Sequence, residues 1–150
     1  MSAIYEHKLV VAAEEIDVLG HAGNLVYLKW MMSAATAHSA VQGWTAERHL
    51  ALGAGWVVRS HQIQYLRPAL AGDEIVVRTW VSDWSRVTSS RRYRILRGAS
   101  EALLANAVTE WAFVNYKTGR PTRIPPEVEQ AFEVASSAAK PHPGQQARWP

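Results

Sequence analysis

The sequence contains no cysteine. A disulfide framework, a zinc–thiolate site and a cysteine nucleophile are therefore excluded. It also lacks any uninterrupted run of about 18 apolar residues, the length a membrane-spanning helix needs, although 48% of its 150 residues are hydrophobic. The first residues, Met1-Ser2-Ala3-Ile4-Tyr5-Glu6-His7-Lys8, do not follow the basic-then-apolar order of a signal peptide, so a cytoplasmic location is expected. Charge is sparse and nearly balanced, with 16 basic and 13 acidic residues leaving +3. Such a surplus suits an anionic ligand such as a nucleotide phosphate. The basic residues are spread through strand-like segments without a helix-turn-helix, zinc-knuckle or RNP-type order, which argues against nucleic acid as a partner. No Gly-x-Ser-x-Gly motif is present, and that argues against a serine hydrolase. There is no internal repeat.

What is present fits one globular domain over residues 1–135, followed by a tail over 136–150 that is poor in apolar residues and reads as disordered. Residues 7–13 suit a first strand, and 14–23 a loop. From 24 to 42 there is no proline or internal glycine, and the composition of alanine, leucine and methionine favours a long helix that stops at Gly43. Leu25, Leu28, Met32 and Ala35 form one stripe of it; Tyr27, Trp30, Met31, Ala34 and His38 form another, so a helix covered on most sides is expected. Thr45-Ala46-Glu47-Arg48 has the order of a cap on a second, short helix. Four strands follow, over 56–67, 74–84, 86–97 and 103–116, then a short proline-led helix from Pro125 to about Val134. Consecutive strands rather than β-α alternation predict an α+β fold with a mostly antiparallel sheet curled around one long helix. Such a sheet carries more apolar positions than one helix covers, which points to self-association.

The densest group of chemically useful side chains lies in residues 15–27. A carboxylate (Asp17), an imidazole (His21) and an amide (Asn24) fall within eight positions, and a glycine-containing turn at Gly20 feeds the long helix. The free N–H groups at a helix start favour negative charge and polarise carbonyls. A carboxylate on one side and aimed N–H donors on the other are the minimal parts for attacking a carbonyl and holding the resulting oxyanion. Each residue also has a structural alternative. Asp17 or Asn24 could cap the helix, His21 could bond backbone across the loop rather than act as a base, and Tyr27 and Trp30 could be core rather than pocket wall. Asp17 and His21 as metal ligands would want a third ligand that the spacing does not suggest. Arg91-Arg92-x-Arg94 reads as a solvated strand face, with phosphate contact as its other reading. His38, Met31 and Met32 read as helix packing.

The pattern Asp17-x-x-Gly20-His21-x-x-Asn24-x-x-Tyr27, with Trp30 beyond it, resembles the signature of hotdog-fold thioesterases of the 4-hydroxybenzoyl-CoA thioesterase and acyl-CoA thioester hydrolase branch. Ile63-Gln64-Tyr65-Leu66-Arg67-Pro68-Ala69 with Gly72-Asp73, and Trp111-x-Phe113-Val114 with Gly119-Arg120-Pro121, are similar to later segments of that family. The resemblance spans about residues 6–134. It implies a hotdog fold, a curved antiparallel sheet wrapped around a central helix, assembled as a homodimer or homotetramer with active sites at the protomer interface. It implies that Asp17 is nucleophile or general base on an acyl thioester, with the Asn24 backbone N–H holding the thioester oxygen and Gly20 and Tyr27 bordering the substrate. Glu15 stands where many relatives have a second aspartate, and is taken as supporting. Arg86, in Trp84-Ser85-Arg86, falls where some relatives contact CoA phosphates. The expected activity is hydrolysis of an acyl-CoA to free acid and CoA, with no metal or redox cofactor, the CoA being part of the substrate. Alternatives are an acyl-carrier-protein thioesterase with the same site and a non-catalytic acyl-CoA binder; an enoyl-CoA dehydratase would want an Asp–His dyad that the Asp17 and His21 spacing does not match.

Overall fold

A computed structural model describes residues 3–135; the tail expected to be disordered lies outside them. Five strands carry the alternation seen in the sequence: β1 (Tyr5–Val10), β2 (Ala54–Tyr65), β3 (Glu74–Trp84), β4 (Thr88–Arg97) and β5 (Leu103–Asn115). All neighbours pair antiparallel, in the order β1-β3-β4-β5-β2, so β1 and β2 are the two edges. The helices are α1 (Asn24–Val41), α2 (Ala46–Leu52) and α3 (Pro126–Glu129). The predicted α+β class and antiparallel sheet are present.

One sheet face, carrying Ile75, Val77, Tyr93, Ile95, Ala105 and Ala107, packs on Tyr27, Trp30, Met31, Ala34 and Ala35 of α1. Burying such a side chain contributes about 1.5–3 kcal/mol, and this layer is the main core. Only one of the two predicted helix stripes is fully inside. Leu25 is 78% exposed and Leu28 and Met32 are half-buried, so the single chain covers α1 on one side and leaves part of the other open. The helix stops at Val41 with Gln42 as its cap, and Gly43 just beyond turns the chain away with a φ of +92°, a left-handed conformation that side chains resist. Thr45 caps α2 as its sequence implies, its hydroxyl accepting from the Arg48 amide (3.1 Å).

Several strand ends shift by about two residues, and two boundaries differ from expectation for a visible reason. Strand β1 stops at Val10 because Glu15 folds back to accept from the Ala12 amide (2.9 Å), closing a short 3-10 turn at Ala13–Glu15. Helix α3 is four residues long rather than running to Val134. Gln42 of the long helix donates to the Ala131 carbonyl (2.6 Å), and Phe132 turns inward to meet the His38 ring.

Candidate active site

The loop between β1 and α1 is a closed turn. An Ile16–Ala22 bridge joins its two sides, the Asp17 amide donates to the His21 carbonyl (2.8 Å), and the Gly20 amide donates to the Asp17 carbonyl (3.0 Å). Gly20 makes the reversal possible, with φ at +83°. Within this turn Asp17 Oδ1 accepts from the amides of Leu19 (2.9 Å) and His21 (3.4 Å), which holds the carboxylate in place while leaving it exposed. The His21 ring is half-exposed and makes no hydrogen bond among the described residues. The cross-loop backbone contact expected of it is made by its own main chain.

Glu15 is a brace. Its carboxylate, 10% exposed, takes Lys29 Nζ and Trp30 Nε1, each at 3.3 Å, besides the Ala12 amide. Burial works to raise its pKa, and these donors together outweigh it and hold the group below the usual glutamate value. The loop is thereby tied to the second turn of α1.

Helix α1 begins without a side-chain cap. Gly23, not Asn24, is the capping residue; Asn24 is the first helical position. The Gly23 amide is used by the Glu15 carbonyl (3.1 Å), and the Val26 amide by the Gly23 carbonyl (3.0 Å). The amides of Asn24 and Leu25 have no acceptor among the described residues, as the first donors of an uncapped helix do not. Tyr65 of β2 donates its hydroxyl to the Asn24 carbonyl (2.9 Å). The Ala22 amide donates to the Ala69 carbonyl (2.8 Å), tying the helix start to the β2–β3 connection. Chemically, this corner offers a fixed carboxylate and two unused N–H donors on adjoining segments.

The remaining expected site residues are placed elsewhere. Tyr27 is 3% exposed, packs edge-on against Tyr65, and its hydroxyl accepts from the Ala69 amide (3.2 Å), so in the single chain it is core. Arg86 is exposed in the β3–β4 turn, where its carbonyl accepts from Ile124. Strand β3 spans roughly 33 Å at 3.3 Å per residue, and Arg86 lies beyond the end opposite the Asp17 loop. Of Arg91-Arg92-x-Arg94, Arg92 alone is fully solvated; Arg94 is half-buried and Arg91 is in the interior.

Sequence reasoning missed a cavity away from the Asp17 corner. Trp44, Trp56, Trp84, Trp111, Phe132 and Arg91 line a cavity of about 220 Å³ at the other end of the sheet. The seven tryptophans of this short chain were its one visible trace.

Comparisons with known proteins agree on the fold. Residues 11–132 match the thioesterase-like superfamily. A Synechocystis 1,4-dihydroxy-2-naphthoyl-CoA thioesterase superimposes with a TM-score of 0.80 at 18% identity, over 86% of this chain and 95% of its own. A Staphylococcus aureus protein solved in complex with CoA does so with a TM-score of 0.80 at 16% identity, over 85% and 80%. At those identities the likeness concerns the fold. A chloroplastic acyl-[acyl-carrier-protein] hydrolase of Cuphea viscosissima is 41% identical over 75 residues, 50% of this chain, which spans only 18% of that longer protein. With a long helix on a five-stranded antiparallel sheet and a match over most of its length, the chain belongs to the thioesterase-like superfamily and has its hotdog fold.

Proposed function

We propose that the chain is an acyl-CoA thioesterase working at the corner between the Asp17 loop and the start of α1. What supports this reading is that a turn-fixed carboxylate and the unbonded amides of Asn24 and Leu25 lie on adjoining segments of the chain. Family membership supplies the reaction class. Asp17 takes a proton from water as the water oxygen adds to the thioester carbonyl carbon. The developing oxyanion is held by the helix-start amides, a contribution of about 2.7–4 kcal/mol per donor in comparable sites. The carbon–sulfur bond then breaks, and the thiolate leaves with a proton returned to it. The thiol is a good leaving group, so no strong general acid is required. His21, with its ring free at the same loop, assists proton movement, and Gly20 shapes the turn. The exposure of Asp17 fits a site completed by a second copy of the chain, from which Arg86 meets the CoA phosphates.

A second reading takes acyl carrier protein in place of CoA, and the identity to the plant hydrolase favours it. Because the protein has no cysteine, a thiol reagent reports released carrier thiol without background. Acyl-CoAs and acyl carrier protein bearing the same aromatic, short and long acyl groups separate the readings by rate. Asp17→Asn is expected to lower turnover by about 10²–10⁴ while leaving the circular dichroism and oligomeric state unchanged. Turnover by that variant at the normal rate would remove the carboxylate mechanism, and ligand binding without any turnover by the parent protein would make it a binder.

A further inference from the structure

Arg91 is the side chain that nothing in the proposed reaction uses. It is 6% exposed and sits on the helix-facing side of β4, in line with Tyr93 and Ile95. Its Nη1 donates to His38 Nδ1 (2.9 Å) and Thr79 Oγ1 (3.1 Å), and the guanidinium stands 5.9 Å from the centre of the Phe132 ring. All three partners are neutral. Burial, with the Arg91 charge close by, pushes His38 down to about 4, so its ring adds no charge near neutrality. No carboxylate lies within ion-pair distance of Arg91 among the described residues, and its Nε and Nη2 make no hydrogen bond there. An arginine does not lose its proton in a protein. A desolvated cation with neutral partners alone is costly, and buried charges are ordinarily matched by an anion.

The cavity supplies the place for one. Among the described residues, Arg91 is the one charged side chain in its lining, since His49, also there, is held neutral by burial and by the Arg48 charge. Indoles and a phenyl ring make up much of the rest, with the hydroxyls of Thr36, Ser39, Ser89 and Tyr116 among them; Trp56 and Trp84 pack on each other with centroids 5.7 Å apart, and Trp84 is 6.2 Å from Phe132. A bare inorganic anion would use the guanidinium and waste these walls. An uncharged hydrocarbon would fill the walls and leave the cation unmatched. At about 220 Å³ the space is below the roughly 300–1,000 Å³ of drug-sized sites, which sets the ligand at about one ring.

We propose that this cavity is a binding site for a small planar carboxylate, its ring against the tryptophan wall and its carboxylate on the outer nitrogens of Arg91. The site is separate from the Asp17 corner. Thr36, on the cavity wall, lies twelve residues along α1 from Asn24, about 18 Å at 1.5 Å per residue. It does not depend on the thioesterase reading.

Calorimetric titration of the full chain with benzoate, benzamide and acetate tests it. Benzoate is expected to bind at least about tenfold tighter than benzamide, which lacks the charge, and than acetate, which lacks the ring. Arg91→Gln should erase the preference for benzoate over benzamide. Thr36→Trp, a change at an exposed position of the wall, should abolish binding with Arg91 intact, so the test survives if Arg91→Gln does not fold. Asp17→Asn should bind benzoate as the parent does. Equal affinity for benzoate and benzamide, or undiminished benzoate binding by Thr36→Trp, overturns the proposal. So does loss of binding in Asp17→Asn, which would move the ligand to the other site.

Discussion

Among single side chains, His38 ties stability to acidity most directly. It is buried between Tyr5, whose ring stacks on it at 5.2 Å, and Phe132, and it accepts from Arg91. Its folded pKa of about 4 lies below the ordinary value of 6.5. Between those values the unfolded chain takes up a proton that the folded chain refuses. The stability His38 contributes is therefore complete above about pH 6.5 and is lost as pH falls toward 4, at up to about 1.4 kcal/mol per pH unit. His49 and His61 shift in the same direction, so the wild type alone does not isolate His38. Denaturant unfolding at pH 7 and pH 5 should show the wild type losing roughly 1–2 kcal/mol more than His38→Gln, whose amide can still accept from Arg91. An unchanged difference would put the pH sensitivity in other groups. The same region marks the limit of what the residues announce. Asp17, Gly20, His21 and Asn24 were legible as a candidate site because one loop and the first residue of α1 hold them within eight positions. Arg91 was not, although the alternation that puts Tyr93 and Ile95 inside also puts Arg91 inside two residues earlier. Its charge argued for solvent, and the cavity it faces is assembled from residues far apart in the chain, so no local pattern displays it.

At the scale of elements, the corner at the start of α1 is built from strain avoided. Gly20 holds φ at +83° with open space where a Cβ would be, so a substitution there meets no clash and pays only in backbone conformation. Gly20→Ala should cost about 1–2 kcal/mol. Its larger effect should be on turnover, because the turn that Gly20 closes also fixes the amides on which the Asp17 carboxylate rests. We expect kcat to fall by more than the stability loss explains, with the melting temperature lowered by only a few degrees. A variant that loses stability but keeps full kcat would show that the turn shapes the loop without aiming the carboxylate. The elements themselves were readable for stated reasons. Helix α1 was marked by composition and by Gly43, β3 by a β-branched run between a turn and a tryptophan, and α2 by its threonine cap. Where the reading failed, a side chain bonding to backbone decided: Glu15 on Ala12, three residues away, shortened β1, and Gln42 on the distant Ala131 ended α3 early. Periodicity registers neither, because both are set by individual polar side chains and the second joins segments far apart in the chain.

For the molecule as a whole, the open side of the Asp17 corner is the feature from which a partner is expected. Val18, Leu19 and Leu25 are 102%, 74% and 78% exposed, and all three lie on the loop or the first turn of α1. Strand β2 is an edge, paired only with β5, and Val57 and Val58 on it are also exposed. Apolar side chains beside an edge strand are unfavourable in water and invite pairing with another chain. A second copy laid against this side would cover Leu25 and exclude water from the neighbourhood of Asp17. There the field of a carboxylate and of two amides would be stronger than in solvent. The expected state in solution is therefore a dimer or tetramer, and assembly and activity should be lost together. Leu19→Lys combined with Leu25→Lys leaves the backbone amides in place and adds two cations at the expected contact. By light scattering this variant should run as a monomer, with near-native circular dichroism and with thioester turnover reduced at least as far as in Asp17→Asn. A parent protein that is monomeric and active at assay concentration would contradict the shared site, and the Asp17 corner would then have to work fully open to water.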